Sequence, residues 1–170
     1  MNWNDTFLAL FNRCLVLYQD GNKEFETYYS EEDLAFLRSI GYRKREFFDF
    51  VEDYADAGDP SPSTAVLIAA VRRDYFLVVQ EGKISTDPVV TRDSIPAKDC
   101  VVDGITYLPR LIEKAQAKLC GLLDPDLMFC CGGDRRCLRE NNLHPADFLR
   151  RVWAADGDHQ KVVDWVKSQK

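Results

Sequence analysis

The chain has 170 residues, 46% of them hydrophobic and 29% charged, with a formal net charge of -6. These proportions exclude a disordered, fibrous or collagenous protein, and a chain of this length buries roughly 70% of the surface it exposes when unfolded, enough for a sizeable core without staples. The charge is uneven: residues 1–60 hold 13 acids and 6 bases, whereas residues 61–170 hold 15 acids and 16 bases, so no concentrated basic face makes nucleic acid an expected partner.

The opening residues MNWNDTFLALFNRC lack a basic n-region and carry Asp5 and Arg13 inside the apolar run, so they do not read as a signal peptide. Phe7, Leu8, Phe11, Cys14, Leu15 and Tyr18 recur at helical spacing before Gly21 and predict an amphipathic helix from about Asn4 to Asp20. Ser30 caps the next, with Asp33 at the third position and Tyr29 placed to staple Leu34, and Gly41 ends it. Phe47, Phe50, Val51 and Tyr54 mark a third helix that stops near Gly58. Ser61 caps and Pro62 begins a fourth, apolar helix predicted to reach Gln80. Its stretch Ala65 to Val79 is interrupted by Arg72, Arg73 and Asp74, which bars it from spanning a bilayer. From Lys83 to Thr106 helical periodicity disappears and prolines stand at 88 and 96, while Asp103-Gly104 between short apolar runs suits a tight hairpin.

Helix returns from Pro109 to Cys120 on the stripe Leu108, Leu111, Ile112, Ala115 and Leu119, closed by Gly121. Asp134 is expected to cap a short helix over Arg135 to Glu140. His144 and Pro145 start another, with Leu143 placed to staple Phe148, and Asp156-Gly157 ends it. Asp158 caps a last helix bearing Val162, Trp165 and Val166. The expected fold is all-α, in two packed helical subdomains: four helices over residues 1–82, a mostly irregular connector with a possible β-hairpin over 83–106, and a helical module over 107–170.

The stretch from Cys130 to Trp153 carries the densest chemistry. Gly132, Gly133, Asp134, Arg135 and Arg136 form a glycine turn leading into a helix N-terminus with arginines, the elements of an anion site. Arg110, in the first turn of its own helix, joins them by sequence logic, and solvated arginines around a capped turn are the plain alternative. Cys130, Cys131, Cys137 and His144 are ligand types that suit zinc, but the adjacent cysteines and the five-residue gap to Cys137 do not follow structural zinc spacing. With Asp134 as cap, Cys137 falls in the first helical turn beside Arg135 and Arg136, where a thiolate is favoured. Against that, free cysteine packs as a small apolar residue. Glu46, Asp49, Asp53 and Asp56 line one face of the third helix; they read as a solvated stripe, or as one that docks against the arginine-bearing half. With no export signal, the six cysteines are expected to be reduced.

The run Tyr107-Leu108-Pro109-Arg110-Leu111-Ile112-Glu113-Lys114-Ala115, then Gly121, Asp134-Arg135-Arg136, Phe148 and the stretch from Val162 to Trp165, resembles an uncharacterised bacterial family, domain of unknown function 5069, over about residues 94–166. The resemblance implies a small helical module of cytoplasmic bacterial proteins, with no assigned activity, cofactor or catalytic residue, and Cys130, Cys131 and Cys137 lie outside its pattern. Residues 1–82 look like an added helical layer. The expectation is therefore a non-catalytic cytoplasmic module that binds a protein partner or a small anionic ligand through the Arg110, Arg135 and Arg136 region. Neither a cofactor nor a membrane partner is expected, and a thiol protein using Cys137 or a small zinc module is the alternative.

Overall fold

The computed structural model describes residues 2–169. Among them are eight α-helices and one two-stranded ribbon, an all-α architecture. Helix α1 (Trp3–Gln19) starts where the Asn2 side chain accepts the Asp5 N–H at 3.0 Å. After a 3-10 turn at Phe25–Thr27, α2 (Glu31–Ser39) opens on the expected capping box: Asp33 N–H donates to Ser30 Oγ at 3.2 Å, and Ser30 N–H donates to Asp33 Oδ2 at 2.8 Å. Helix α3 (Lys44–Ala57) ends at Gly58, whose φ of +71° is a left-handed stop that glycine adopts without strain. Helix α4 (Pro62–Val78) is capped by Ser61 and ends two residues short of the expected Gln80.

The ribbon forms where Asp103-Gly104 predicted it: β1 (Val101–Val102) pairs antiparallel with β2 (Ile105–Thr106), Val101 opposite Thr106 and Val102 opposite Ile105. Asp103 at φ +47° and Gly104 at φ +78° supply the paired positive dihedrals of a type I′ turn, whose twist matches the strands. Helix α5 (Leu108–Cys120) follows at once. Then come α6 (Gly132–Glu140), α7 (Pro145–Ala155), begun by His144, and α8 (His159–Lys167), capped by Asp158.

One boundary departs from expectation in a way that matters for the site. Asp134 does not cap α6; Cys131 holds the cap position and Asp134 is the third helical residue, its carboxylate turned inward. The reason is a stronger attraction than a solvated cap provides, because the ammonium of Lys114 waits inside at 2.6 Å.

Helix α1 packs on α3, α4 packs on α1, α5 and α7, and α7 also packs on α5 and α8. The apolar core is continuous from α1 to α8. Its aromatic part sits between α1 and α3, where Phe7 and Phe47 meet edge to face at 4.9 Å and Phe48 stacks on Phe25 at 4.7 Å. Each fully buried phenylalanine of this kind stabilises the fold by roughly 1.5–3 kcal/mol. Tyr75 of α4 against Trp153 of α7 continues the contact into the C-terminal helices at 5.5 Å. No helix among the described residues is long and apolar enough to cross a membrane.

Candidate functional site

Helix α5 places Arg110, Lys114 and Lys118 four residues apart, one above another on a single side. All three are buried. The acidic stripe of α3 faces this part of the molecule. Lys118, 2% exposed, reaches Glu46 at 2.5 Å with its ammonium 4.3 Å from the centre of the Tyr42 ring. Burial lowers the Lys118 pKa, and the charge of Glu46 opposes that shift.

Next along α5, Lys114 (2% exposed) donates to both carboxylate oxygens of Asp134 (0% exposed), at 2.8 and 2.6 Å. The same carboxylate accepts the Tyr107 hydroxyl at 2.9 Å and the Cys130 N–H at 2.8 Å. A buried carboxylate with this many donors is satisfied as a charge, the condition on which a buried ion pair is tolerated.

Arg135 lies beside it, donating to Asp53 at 2.6 Å and to the Cys130 carbonyl at 2.7 Å, with Asp59 at 3.2 Å. The acidic stripe therefore docks on the basic half through Glu46 and Asp53. Asp56 instead accepts from the Tyr18 hydroxyl of α1 at 3.1 Å, and Asp49 meets only a base of its own helix. Arg45 Nε approaches its carboxylate at 2.8 Å without hydrogen-bond geometry, and burial pushes the Asp49 carboxyl up to about 7.

Over this ion-pair layer opens a cleft of about 420 Å³. Asp49, Glu52 and Asp53 of α3 form one wall, and Tyr107, Lys114, Cys131 and Gly133 are also on its lining. Arg92, Lys98 and Arg110 add three cations to the lining. Arg92 donates to the Asp126 carbonyl at 3.0 Å and Arg110 to the Pro96 carbonyl at 2.6 Å. Among the described residues no carboxylate lies within ion-pair distance of Arg92, Lys98 or Arg110.

The N-terminus of α6 enters the same cleft without a side-chain cap, and Gly133 keeps it open: a Cβ there would stand 2.9 Å from the Tyr107 hydroxyl. A second depression, of about 490 Å³, shares Lys98, Tyr107 and Gly133 with the cleft and adds Arg136 and Cys137.

The residues singled out in the sequence divide among these places. Arg110 and Gly133 line the cleft, and Gly132 begins α6 beside it. Asp134 and Arg135 lie beneath, so Arg135 is not the solvated arginine expected of a capped turn. Arg136 lies on the surface, paired with Glu140 at 2.9 Å.

The zinc set does not assemble. Cys130 is buried with its thiol pushed up to about 12 by burial, His144 Nδ1 accepts the Ala146 N–H at 3.2 Å as a helix cap, and Cys137 Sγ is 3.8 Å from the Thr106 carbonyl. Among the described residues no three His, Cys, Asp or Glu side chains come together to hold a metal ion. The thiolate argument for Cys137 also changes, because α6 starts at Gly132 and puts Cys137 sixth in the helix, past the first turn to which the dipole effect is confined.

The residues missed in the sequence are Lys114, Tyr107, Arg92 and Lys98. The four-residue recurrence of bases on α5 was the available signal for Lys114. Cys131, rather than Cys137, is the thiol beside a cation, accepting from Lys114 Nζ at 3.3 Å.

Fold and site together define an all-α protein whose C-terminal helices carry a charged cleft over buried ion pairs. Residues 96–170, a little under half of the chain, match the family described as Domain of unknown function (DUF5069). The match takes in the ribbon and α5 to α8. No curated protein and no solved structure matches the chain.

Proposed function

We propose that the protein is a non-catalytic helical module of the bacterial cytoplasm that binds a small anionic ligand in the cleft between α3, α5 and the start of α6. One observation carries this reading: Arg92, Lys98 and Arg110 line the cleft without a carboxylate partner, and the α6 N-terminus opens there with no side-chain cap. Backbone N–H groups of a first helical turn and nearby cations attract the same negative charge. Gly133 lets a ligand approach the backbone, as a Cβ would not. The acidic wall of α3 favours a compact ligand over an extended polyanion, which Asp49, Glu52 and Asp53 would repel.

The test is titration with inorganic phosphate, followed through the amide resonances of the 15N-labelled protein. Gly132 and Gly133 amides are expected to shift saturably, and Lys98→Glu or Arg92→Glu to weaken the response about tenfold. Unmoved glycine amides at millimolar phosphate, or full binding by both variants, would remove the proposal. A second reading rests on Cys131, whose thiol meets Lys114 on the cleft wall. A single cysteine that reacts rapidly with a thiol reagent below neutral pH would favour that reading instead.

A further inference from the structure

Away from this cleft, a cavity of about 530 Å³ opens between α2, the Gly41-Tyr42-Arg43 turn, α4 and the end of α5. Its volume falls in the range of small-molecule sites. Phe25, Leu34, Leu37 and Ile84 give it an apolar lining. Two polar groups among its lining residues are unusual. Tyr42 is 3% exposed and its hydroxyl has no hydrogen-bond partner; Arg72 is 2% exposed and its Nε has none either.

Arg72 is anchored at one end only, donating from Nη1 to Gln80 at 2.8 Å, and Gly121 leaves room for its Nη2, since a Cβ there would stand 2.5 Å away. Among the described residues no carboxylate pairs with Arg72; Glu46, whose charge it feels, is bound to Lys118. The other charged residues of the lining are Arg38, Arg43, Lys44 and Arg45 against Glu26 alone, and Glu26 is paired with Lys44. The Arg43 side chain donates to the carbonyls of Gly121 and Leu123, at 2.9 and 2.7 Å.

Buried donors without acceptors are rare because each forfeits its hydration. Here two residues with such donors line one cavity, and among its described lining residues the charges without an opposite partner are Arg38, Arg43 and Arg72. Both donor atoms are closed off as the side chains stand, so an acceptor-only group completes them once the two side chains turn toward the cavity, and a planar carboxylate accepts from a guanidinium and a hydroxyl at once.

We propose that this cavity is a second binding site, for a small carboxylic acid with an apolar tail, its carboxylate accepting from Arg72 and the Tyr42 hydroxyl and its tail lying on Leu34, Leu37 and Ile84. The site is separate from the phosphate-tested cleft, and its ligand is distinguished by the tail.

The experiment is calorimetric titration of the full chain with octanoate, with octan-1-ol as the uncharged match and acetate as the tail-less one. Octanoate is expected to bind at least about tenfold more tightly than either. Tyr42→Phe removes only the unpartnered hydroxyl, so the ligand-free protein should melt at the same temperature or higher while octanoate affinity falls about tenfold. Arg72→Met should lower it further, and Ile84→Glu, on a side chain 72% exposed, should weaken octanoate without disturbing the fold. Lys98→Glu, in the other cleft, should leave octanoate unaffected. Octan-1-ol binding as tightly as octanoate, unchanged affinity in Tyr42→Phe, a lowered melting temperature of that variant alone, or loss of octanoate in Lys98→Glu would each overturn the proposal.

Discussion

Replacing Lys114 by Met leaves the Asp134 carboxylate in the interior with the Tyr107 hydroxyl and the Cys130 N–H but no cation. At an effective dielectric of about 20, unit charges 2.6 Å apart attract by roughly 6 kcal/mol. Part of that offsets the cost of taking both groups out of water, so removing one partner is expected to destabilise the fold by about 3–5 kcal/mol. With a urea dependence near 2 kcal/mol per molar, the unfolding midpoint should fall by about 1.5–2.5 M. Asp134→Leu alone strands the ammonium and should be similarly damaging. The double variant, Lys114→Met with Asp134→Leu, strands neither charge and should recover most of the loss, to within about 1–2 kcal/mol of wild type. Circular dichroism during urea unfolding of all four proteins closes the cycle. A single-variant midpoint lowered by less than about 0.5 M, or a double variant showing the sum of both losses, would refute the claim that this pair acts as one buried unit.

Asp49 predicts a pH dependence of stability. Its carboxyl is pushed up to about 7 by burial, so between pH about 4 and 7 the folded protein holds a proton that the unfolded chain has released, and stability falls as pH rises through that window. Asp49→Asn should flatten this slope by at least about 1 kcal/mol, read from urea midpoints at pH 5 and pH 8, and parallel profiles would contradict it. Gly133→Ala should destabilise wild type by about 1–2 kcal/mol through the contact with the Tyr107 hydroxyl. In a Tyr107→Phe background the same change should cost less or turn favourable, since alanine is preferred over glycine within a helix by about 1 kcal/mol. Melting temperatures of the four proteins decide it.

Most of the helices were legible because their signals are local: Ser30 with Asp33, Ser61 with Pro62, Asp158, and apolar residues recurring on one face. The Asp103-Gly104 hairpin is legible for the same reason. The site was half legible. Gly133 and Arg110 were found from their types, but Asp134 was misassigned because its partner Lys114 lies 20 residues earlier, and nothing local distinguishes a capping aspartate from one that turns inward. Arg135 was read as solvated for want of Asp53 and Asp59, which stand on the far side of the sequence. The acids at 46, 49 and 53 on α3 and the bases at 110, 114 and 118 on α5 are both legible as stripes, but only Glu46 and Lys118 pair across them, and spacing alone does not single out that pair. The apolar cavity was not legible at all, because Tyr42 and Arg72 meet only once α2 and α4 are packed.

Lys118 and Arg135 make the family-matching segment of residues 96–170 a borrower. Its own Lys114 and Asp134 neutralise each other within the module, whereas Glu46, Asp53 and Asp59 are supplied by the first sixty residues. Excised at residue 96, the segment would lose the Tyr42 and Phe50 rings that cover Lys118 along with its carboxylate, so the ammonium would hydrate while the apolar face beneath it lay bare to water.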